Sequence, residues 1–127
     1  MHVTAKPPDN LPTILVIDDD VAITGLLNIV LSDMAVVLAA ANGVDGLAIA
    51  GAIVPDLILL DVIMEDMGGL DVCRALQENP CTANIPILFV TAGDDEDVEV
   101  EALSIGAVDF IVKPLRPAIV RARLSES

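Results

Sequence analysis

Four short stretches carry side chains that can do chemistry together: Asp18-Asp19-Asp20, Asp61, Thr91-Ala92 and Lys113-Pro114. Each directly follows a largely apolar run: Thr13–Ile17, Leu57–Leu60, Ile87–Val90 and Val108–Val112. Acids, a hydroxyl and an ammonium gathered at such strand ends suit a hard cation and an anion. Crowded carboxylates repel, and each needs compensation if all are to stay ionised. Mg²⁺ provides it, because it prefers oxygen ligands and keeps several waters. The ammonium of Lys113 supplies a second positive charge. A central carboxylate beside a metal, a lysine and a hydroxyl is equipped for phosphoryl transfer. The carboxylate attacks as nucleophile while the cations stabilise charge on the transferred group.

Taken singly, each residue has a plainer use. Asp18 to Asp20 can be a helix N-cap run. Asp61 can cap a turn, Thr91 can end a strand, and Lys113 can be a solvated lysine. Their joint placement at one edge of one sheet argues against coincidence.

The elements that must position them follow from periodicity. Thr13–Ile17 is a first strand. Asp20 offers an N-cap, and Ile23, Leu26, Leu27, Val30 and Leu31 recur at helical spacing. Val36–Ala40 is a second strand, closed by Asn42-Gly43, and Val44, Leu47 and Ala48 mark a second helix. Leu57–Leu60 is uniformly apolar and therefore central. Gly68-Gly69 breaks the chain before a helix striped by Leu70, Cys73 and Leu76. Ile87–Val90 is the fourth strand. The acidic stretch Asp94 to Glu101 opens a fourth helix that also carries Val98, Ala102 and Ile105. Val108–Val112 is the fifth strand, and Pro117 starts a last helix toward Leu124. Five strands alternating with five helices predict an α/β fold with a parallel sheet covered on both faces. Ligands bind such sheets beyond the carboxyl ends of the strands.

Composition narrows the function. The chain has 127 residues, 54% of them hydrophobic and 2% aromatic, so aliphatic packing builds one core of common domain size. Residues 1–12 read as a flexible lead-in and 13–127 as the folded domain. A net charge of −14 with six Lys and Arg argues against direct nucleic-acid binding. The longest apolar run, Met34 to Ala41, is too short to span a membrane, and the amino-terminal stretch lacks an apolar signal core. Cys73 and Cys81 form no CxxC pair and read as reduced thiols of a cytoplasmic protein.

The segments ILVIDDD, LILLDVIM followed by MGGLDVCR, FVTA and GAVDFIVKP resemble, in order and spacing, the signatures of response-regulator receiver domains. The resemblance covers residues 13 to 124. It implies a flavodoxin-like receiver fold, a doubly wound five-stranded parallel sheet of order 2-1-3-4-5. It aligns Asp61 with the phospho-acceptor, and Asp18 and Asp19 with the acidic pair that holds Mg²⁺. Asp19 would be the direct ligand and Asp18 would act mainly through water. Asp61 and the backbone carbonyl of Ile63 complete the metal set. Thr91 aligns with the switch hydroxyl, the Ala92 N–H lies beside it, and Lys113 aligns with the phosphoryl-binding lysine. Pro114 would follow a cis bond. Phe110 aligns with the switch aromatic, and an ordinary core aromatic is the alternative use. The implied partner is a sensor histidine kinase or a phosphotransfer protein, and the implied output is a changed fourth-helix, fifth-strand and fifth-helix surface.

One departure is visible. Glu65 stands where the family usually has Pro, which bears on loop rigidity and metal affinity. Other readings fit less well. A haloacid-dehalogenase-like phosphatase needs a second Asp where Ile63 stands. A flavodoxin-like electron carrier needs a Ser/Thr-rich phosphate loop where the acids stand. The run Asp94 to Glu101 lacks the glycine and ligand register of a calcium loop. A degenerate receiver, acting as a phosphorylation-independent interaction module, conflicts with the complete set Asp18, Asp19, Asp61, Thr91 and Lys113. The tail KPLRPAIVRARL resembles receivers fused to cyclic-di-GMP synthesis or hydrolysis domains. A stand-alone receiver and a fused one both stay open, and the fused case implies a phosphorylation-dependent homodimer.

Overall fold

Five largely apolar runs form the strands of one parallel sheet, in a computed structural model that describes residues 11–64, 66–93, 96–106 and 109–126. In chain order the elements are β1 (Thr13–Ile17), α1 (Val21–Leu31), β2 (Val36–Ala40), α2 (Gly43–Ile53) and β3 (Leu57–Asp61). They continue with α3 (Gly69–Glu78), β4 (Ile87–Thr91), α4 (Glu96–Ile105), β5 (Asp109–Val112) and α5 (Pro117–Glu126). The strand order is β2-β1-β3-β4-β5, with every neighbouring pair parallel. This is the doubly wound order that the resemblance implied.

Successive strand residues face opposite sides, so the central strands feed two cores. Leu15, Ile17, Ile58, Leu60, Ile87 and Phe89 pack with Ala50 of α2, Val72, Cys73 and Leu76 of α3, and Ala102 of α4. Ile14, Val16, Leu57, Leu59, Leu88 and Val90 pack with Leu27 and Leu31 of α1 and with Val120 and Leu124 of α5. The edge strands β2 and β5 are less buried than the three between them.

The boundaries differ from the sequence reading in ways that matter. Strands β3 and β4 each run one residue further, so Asp61 and Thr91 lie within the strands and take ladder geometry. Asn42 does not merely close β2. It is the N-cap of α2, accepting from Asp45 N–H at 2.8 Å. The lead-in residues 1–10, Glu65, Asp94, Asp95 and Val108 lie outside the described residues. Arg121 donates to the Val30 carbonyl at 2.9 Å and to Asp33, tying α5 to the end of α1. Arg123 pairs with Asp109 at 2.7 Å. No described helix is long and apolar enough to cross a membrane.

Helix α2 ends at Val54, whose φ of 51° lies in the left-handed region while its N–H donates to Ala50 O at 2.9 Å. A β-branched residue is poorly suited to that conformation, at a cost of about 1–2 kcal/mol. Asn tolerates it, and the Val54 side chain is half exposed. Val54→Asn is therefore expected to raise unfolding stability by about 1 kcal/mol. Urea denaturation checks this as a higher midpoint at unchanged slope.

Candidate functional site

Asp61 and Thr91 sit within the paired ladder, and further backbone hydrogen bonds extend it past the last paired residues. Asp18 N–H donates to Ala40 O at 3.0 Å, Val62 N–H to Val90 O at 3.2 Å and Lys113 N–H to Thr91 O at 2.7 Å. The three acids after β1 then divide their work. Asp20 caps α1, accepting from Ala22 N–H at 2.9 Å. Asp18 turns inward, 2% exposed, and its Oδ1 accepts from Asp20 N–H at 2.9 Å. Asp19 stays exposed at the rim. The plain N-cap role thus belongs to Asp20 alone.

Asp61 is buried at the end of β3, and its Oδ1 accepts from Ile63 N–H at 3.4 Å. The Lys113 ammonium lies 3.5 Å from Asp61 Oδ1 and 4.0 Å from Asp18 Oδ2. Thr91 is buried at the end of β4, and its Oγ1 accepts from Gly93 N–H at 3.2 Å. Asp19, Asp61, Ile63, Thr91, Ala92 and Lys113 line one open cleft of about 610 Å³, with Asp20, Val62 and Val98 beside them. Phe110 is not in that lining. It is half-buried and stacks on Phe89, with ring centroids 6.1 Å apart at 27°. The Lys113–Pro114 bond is cis.

The electrostatics of this edge are unbalanced. Burial pushes the Asp18 carboxyl up to about 6; the Asp20 N–H opposes the rise and the Asp61 charge adds to it. Burial also raises Asp61, against the pull of Lys113. Asp18 Oδ2 is buried and has no hydrogen-bond donor. One oxygen from each of Asp18, Asp19 and Asp61 lies within 4.8 Å of the others. An orphaned buried oxygen in an all-carboxylate donor set fits a hard cation such as Mg²⁺.

Two residues shape this site in ways that the sequence does not announce. A Cβ on Gly69 would stand 2.3 Å from Asp61 O and 2.8 Å from Val62 Cα, so the start of α3 must be bare where it crosses the end of β3. In the sequence Gly68-Gly69 reads only as a chain break. Asp66 accepts from Gly43 N–H at 3.1 Å and from Val44 N–H at 3.4 Å, which holds its carboxyl below the usual range. That bond joins residues more than twenty positions apart, and no local pattern announces it.

Residues 14–125 match the family model described as the response regulator receiver domain. The response regulator PleD of Caulobacter vibrioides is 40% identical over 112 residues, covering 87% of this chain and 25% of PleD. The DNA-binding response regulator MtrA of Mycobacterium tuberculosis is 40% identical over 119 residues, covering 87% of this chain and 50% of MtrA. The chain thus spans a quarter to a half of the length of these curated relatives. Among solved structures, the chemotaxis protein CheY4 of Vibrio cholerae has a TM-score of 0.87 at 28% identity, covering 91% of this chain and 98% of that one. The receiver domain of NtrX from Brucella abortus has a TM-score of 0.82 at 26% identity, covering 89% and 95%.

The raised Asp18 carboxyl has a stability signature. Above about pH 6 the buried carboxylate is ionised in both folded and unfolded chains, and the folded state bears the full penalty. Between that point and the ordinary value of 3.8 the folded state takes up a proton that the unfolded state does not. Stability contributed by this group therefore rises as pH falls through the window. In EDTA, the thermal midpoint of the parent minus that of Asp18→Asn is expected to rise on going from about pH 7 to about pH 5. A flat difference would contradict the assignment.

Proposed function

Because the chain belongs to the response regulator receiver family, we propose that Asp61 takes a phosphoryl group from the phosphohistidine of a sensor histidine kinase or phosphotransfer protein. The carrying observation is the convergence of two buried carboxylates, Asp18 and Asp61, on the single ammonium of Lys113 at the carboxyl edge of the sheet. Asp18, Asp19, Asp61 and the Ile63 carbonyl would hold Mg²⁺. When bound, that ion would supply positive charge to the acidic edge and to phosphoryl oxygens.

In this reading each residue has a distinct task. Asp61 attacks phosphorus as the carboxylate, and the departing imidazole keeps the electron pair of the broken P–N bond. Lys113 keeps Asp61 ionised despite its burial and then pairs with the phosphoryl charge. The Thr91 oxygen accepts from Gly93 N–H, so its own proton is available to a phosphoryl oxygen. The Ala92 N–H lies next to it along the chain. Drawing Thr91 toward the phosphoryl group would open room for Phe110 to move inward and change the α4, β5 and α5 surface. This is a population shift, so the phosphoryl group must bind the two states unequally.

Receivers are signalling domains rather than conventional enzymes, and the chemistry proposed for this chain is confined to its own phosphotransfer and dephosphorylation. The same reading places the chain in the cytoplasm and includes a switched output. A fused domain of the cyclic-di-GMP type, reached through the KPLRPAIVRARL tail, and a phosphorylation-dependent homodimer belong to that proposal.

Two measurements test it. Incubated with acetyl phosphate and Mg²⁺, the parent is expected to gain the mass of one phosphoryl group, and Asp61→Asn to gain none. Undiminished labelling of Asp61→Asn would sink the acceptor assignment, and an unlabelled parent would favour the phosphorylation-independent module. Thr91→Ala is expected to take the label but to show weaker label-dependent amide shifts in α4 and β5. Shifts identical to those of the parent would remove Thr91 from the switch.

A further inference from the structure

The acceptor loop, residues 62–68, follows Asp61 and leads into α3. A carboxylate near the start of a helix ordinarily caps that helix. Asp66 does not do so: α3 begins at Gly69 with Gly68 as N-cap and no side-chain cap bond. Asp66 instead reaches across to α2, where both of its oxygens accept from Gly43 N–H, at 3.2 and 3.1 Å, and one also accepts from Val44 N–H at 3.4 Å.

Helix α2 already has a cap of its own. Asn42 Oδ1 accepts from Asp45 N–H at 2.8 Å, and Asn42 Nδ2 donates back to Asp45 at 3.1 Å. The Asp66 contact therefore adds a link between two segments rather than completing a helix. The approach is close enough to require a bare backbone. A Cβ on Gly43 would lie 2.8 Å from Val72 Cγ2 and 3.0 Å from Met67 Cβ.

The link closes a ring around the acidic edge. Asp18 N–H is bonded to Ala40 O at the end of β2. Two residues on, the chain enters α2 at Asn42 and Gly43. Asp66 ties that entrance to the acceptor loop, and the loop returns to Asp61 through Gly69 N–H on Val62 O at 2.8 Å. The strand ends that carry Asp18 and Asp61 are thus held to each other through α2 as well as through the sheet. Between Asp61 and Asp66 sits Ile63, 75% exposed, whose carbonyl the proposed metal set requires.

We propose that Asp66 is a positioning residue of the acceptor site: by fastening the loop to the amino end of α2, it fixes the Ile63 carbonyl relative to Asp18, Asp19 and Asp61. The proposal rests on the reading of this edge as a Mg²⁺ and phosphoryl site. It differs from a general charge effect because Asp66 acts through neutral backbone donors on a different element.

The test is the Mg²⁺ dissociation constant of the whole 127-residue chain. It is followed by amide chemical shifts, because the chain has no Trp or Tyr. Asp66→Ala is expected to weaken Mg²⁺ about tenfold, the scale on which orienting partners of metal ligands act. Asp66→Asn removes the charge but keeps an acceptor oxygen, and is expected to stay within about threefold of the parent. Asp71→Ala removes an equal charge from the exposed start of α3 and is expected to leave affinity unchanged. Far-UV spectra establish that each variant is folded. Were Asp66→Ala to lose its fold, Asp66→Asn would decide alone, near-parent affinity supporting positioning and a tenfold loss overturning it. Unchanged affinity in Asp66→Ala, or an equal loss in Asp71→Ala, also overturns the proposal and leaves the site reading intact. A parent that shows no Mg²⁺ response sinks the site reading itself, and the proposal with it.

Discussion

Two carboxylates buried against one ammonium are the constraint on which the rest of this structure depends. Asp18 and Asp61 repel each other and are poorly solvated, and Lys113, 3.5 Å from one and 4.0 Å from the other, offsets only part of the penalty. Such a cluster cannot be left on mobile loops, because the groups would swing apart into water. Here Asp61 is the last residue of β3, and Asp18 and Lys113 directly follow their strands. Asp18 is tied to Ala40, Val62 to Val90 and Lys113 to Thr91 by one further backbone bond each. The sheet supplies rigidity, and its carboxyl edge supplies the opening.

The stability that tolerates this cluster comes from elsewhere. Both faces of β1, β3 and β4 are packed with aliphatic side chains, and Phe89 and Phe110 are the sole aromatics of the chain. Cations are scarce, six against twenty acids, and their placement is informative. Arg74 joins α3 to Glu101 on α4, Arg121 joins α5 to Asp33 beyond α1, and Arg123 joins α5 to Asp109. These exposed pairs individually contribute little. Only Lys113, among the described residues, is placed against the acidic pair. Arg121 and Arg123 thus have acidic partners within the chain itself.

Much of this arrangement is legible in the amino-acid sequence. Uniform aliphatic runs announce buried parallel strands, and acids, a hydroxyl and a lysine at their ends announce a shared edge. What was hidden is tertiary. Asp18, Asp19 and Asp20 look equivalent in sequence, yet the first is buried, the second exposed and the third a helix cap. Val54 in a left-handed conformation contradicts its own preference and follows from how α2 must turn into Pro55 and β3. Gly69 reads as a breaker and proves to be a clearance for the Asp61 carbonyl. The Asp66 bond to α2 depends on two helices meeting, which no window of neighbouring residues encodes.

The acidic edge is coupled to the far side of the sheet by direct contacts: Thr91 O receives Lys113 N–H, joining β4 to β5, and Phe110 on β5 stacks on Phe89 of β4. Beyond them lies α4, which buries only Ala102 among its described residues, whereas α3 buries Gly69, Val72, Cys73 and Leu76. An element with so little buried surface is inexpensive to shift, because few apolar contacts must be broken. Val100, Leu103, Val112 and Ile119 stand exposed on α4, β5 and α5. Together they form an exposed apolar surface on the side of the sheet away from β2. The fold thus sets the strands that hold Asp18 and Asp61 together beside a helix, α4, that among the described residues is anchored by the burial of Ala102 alone.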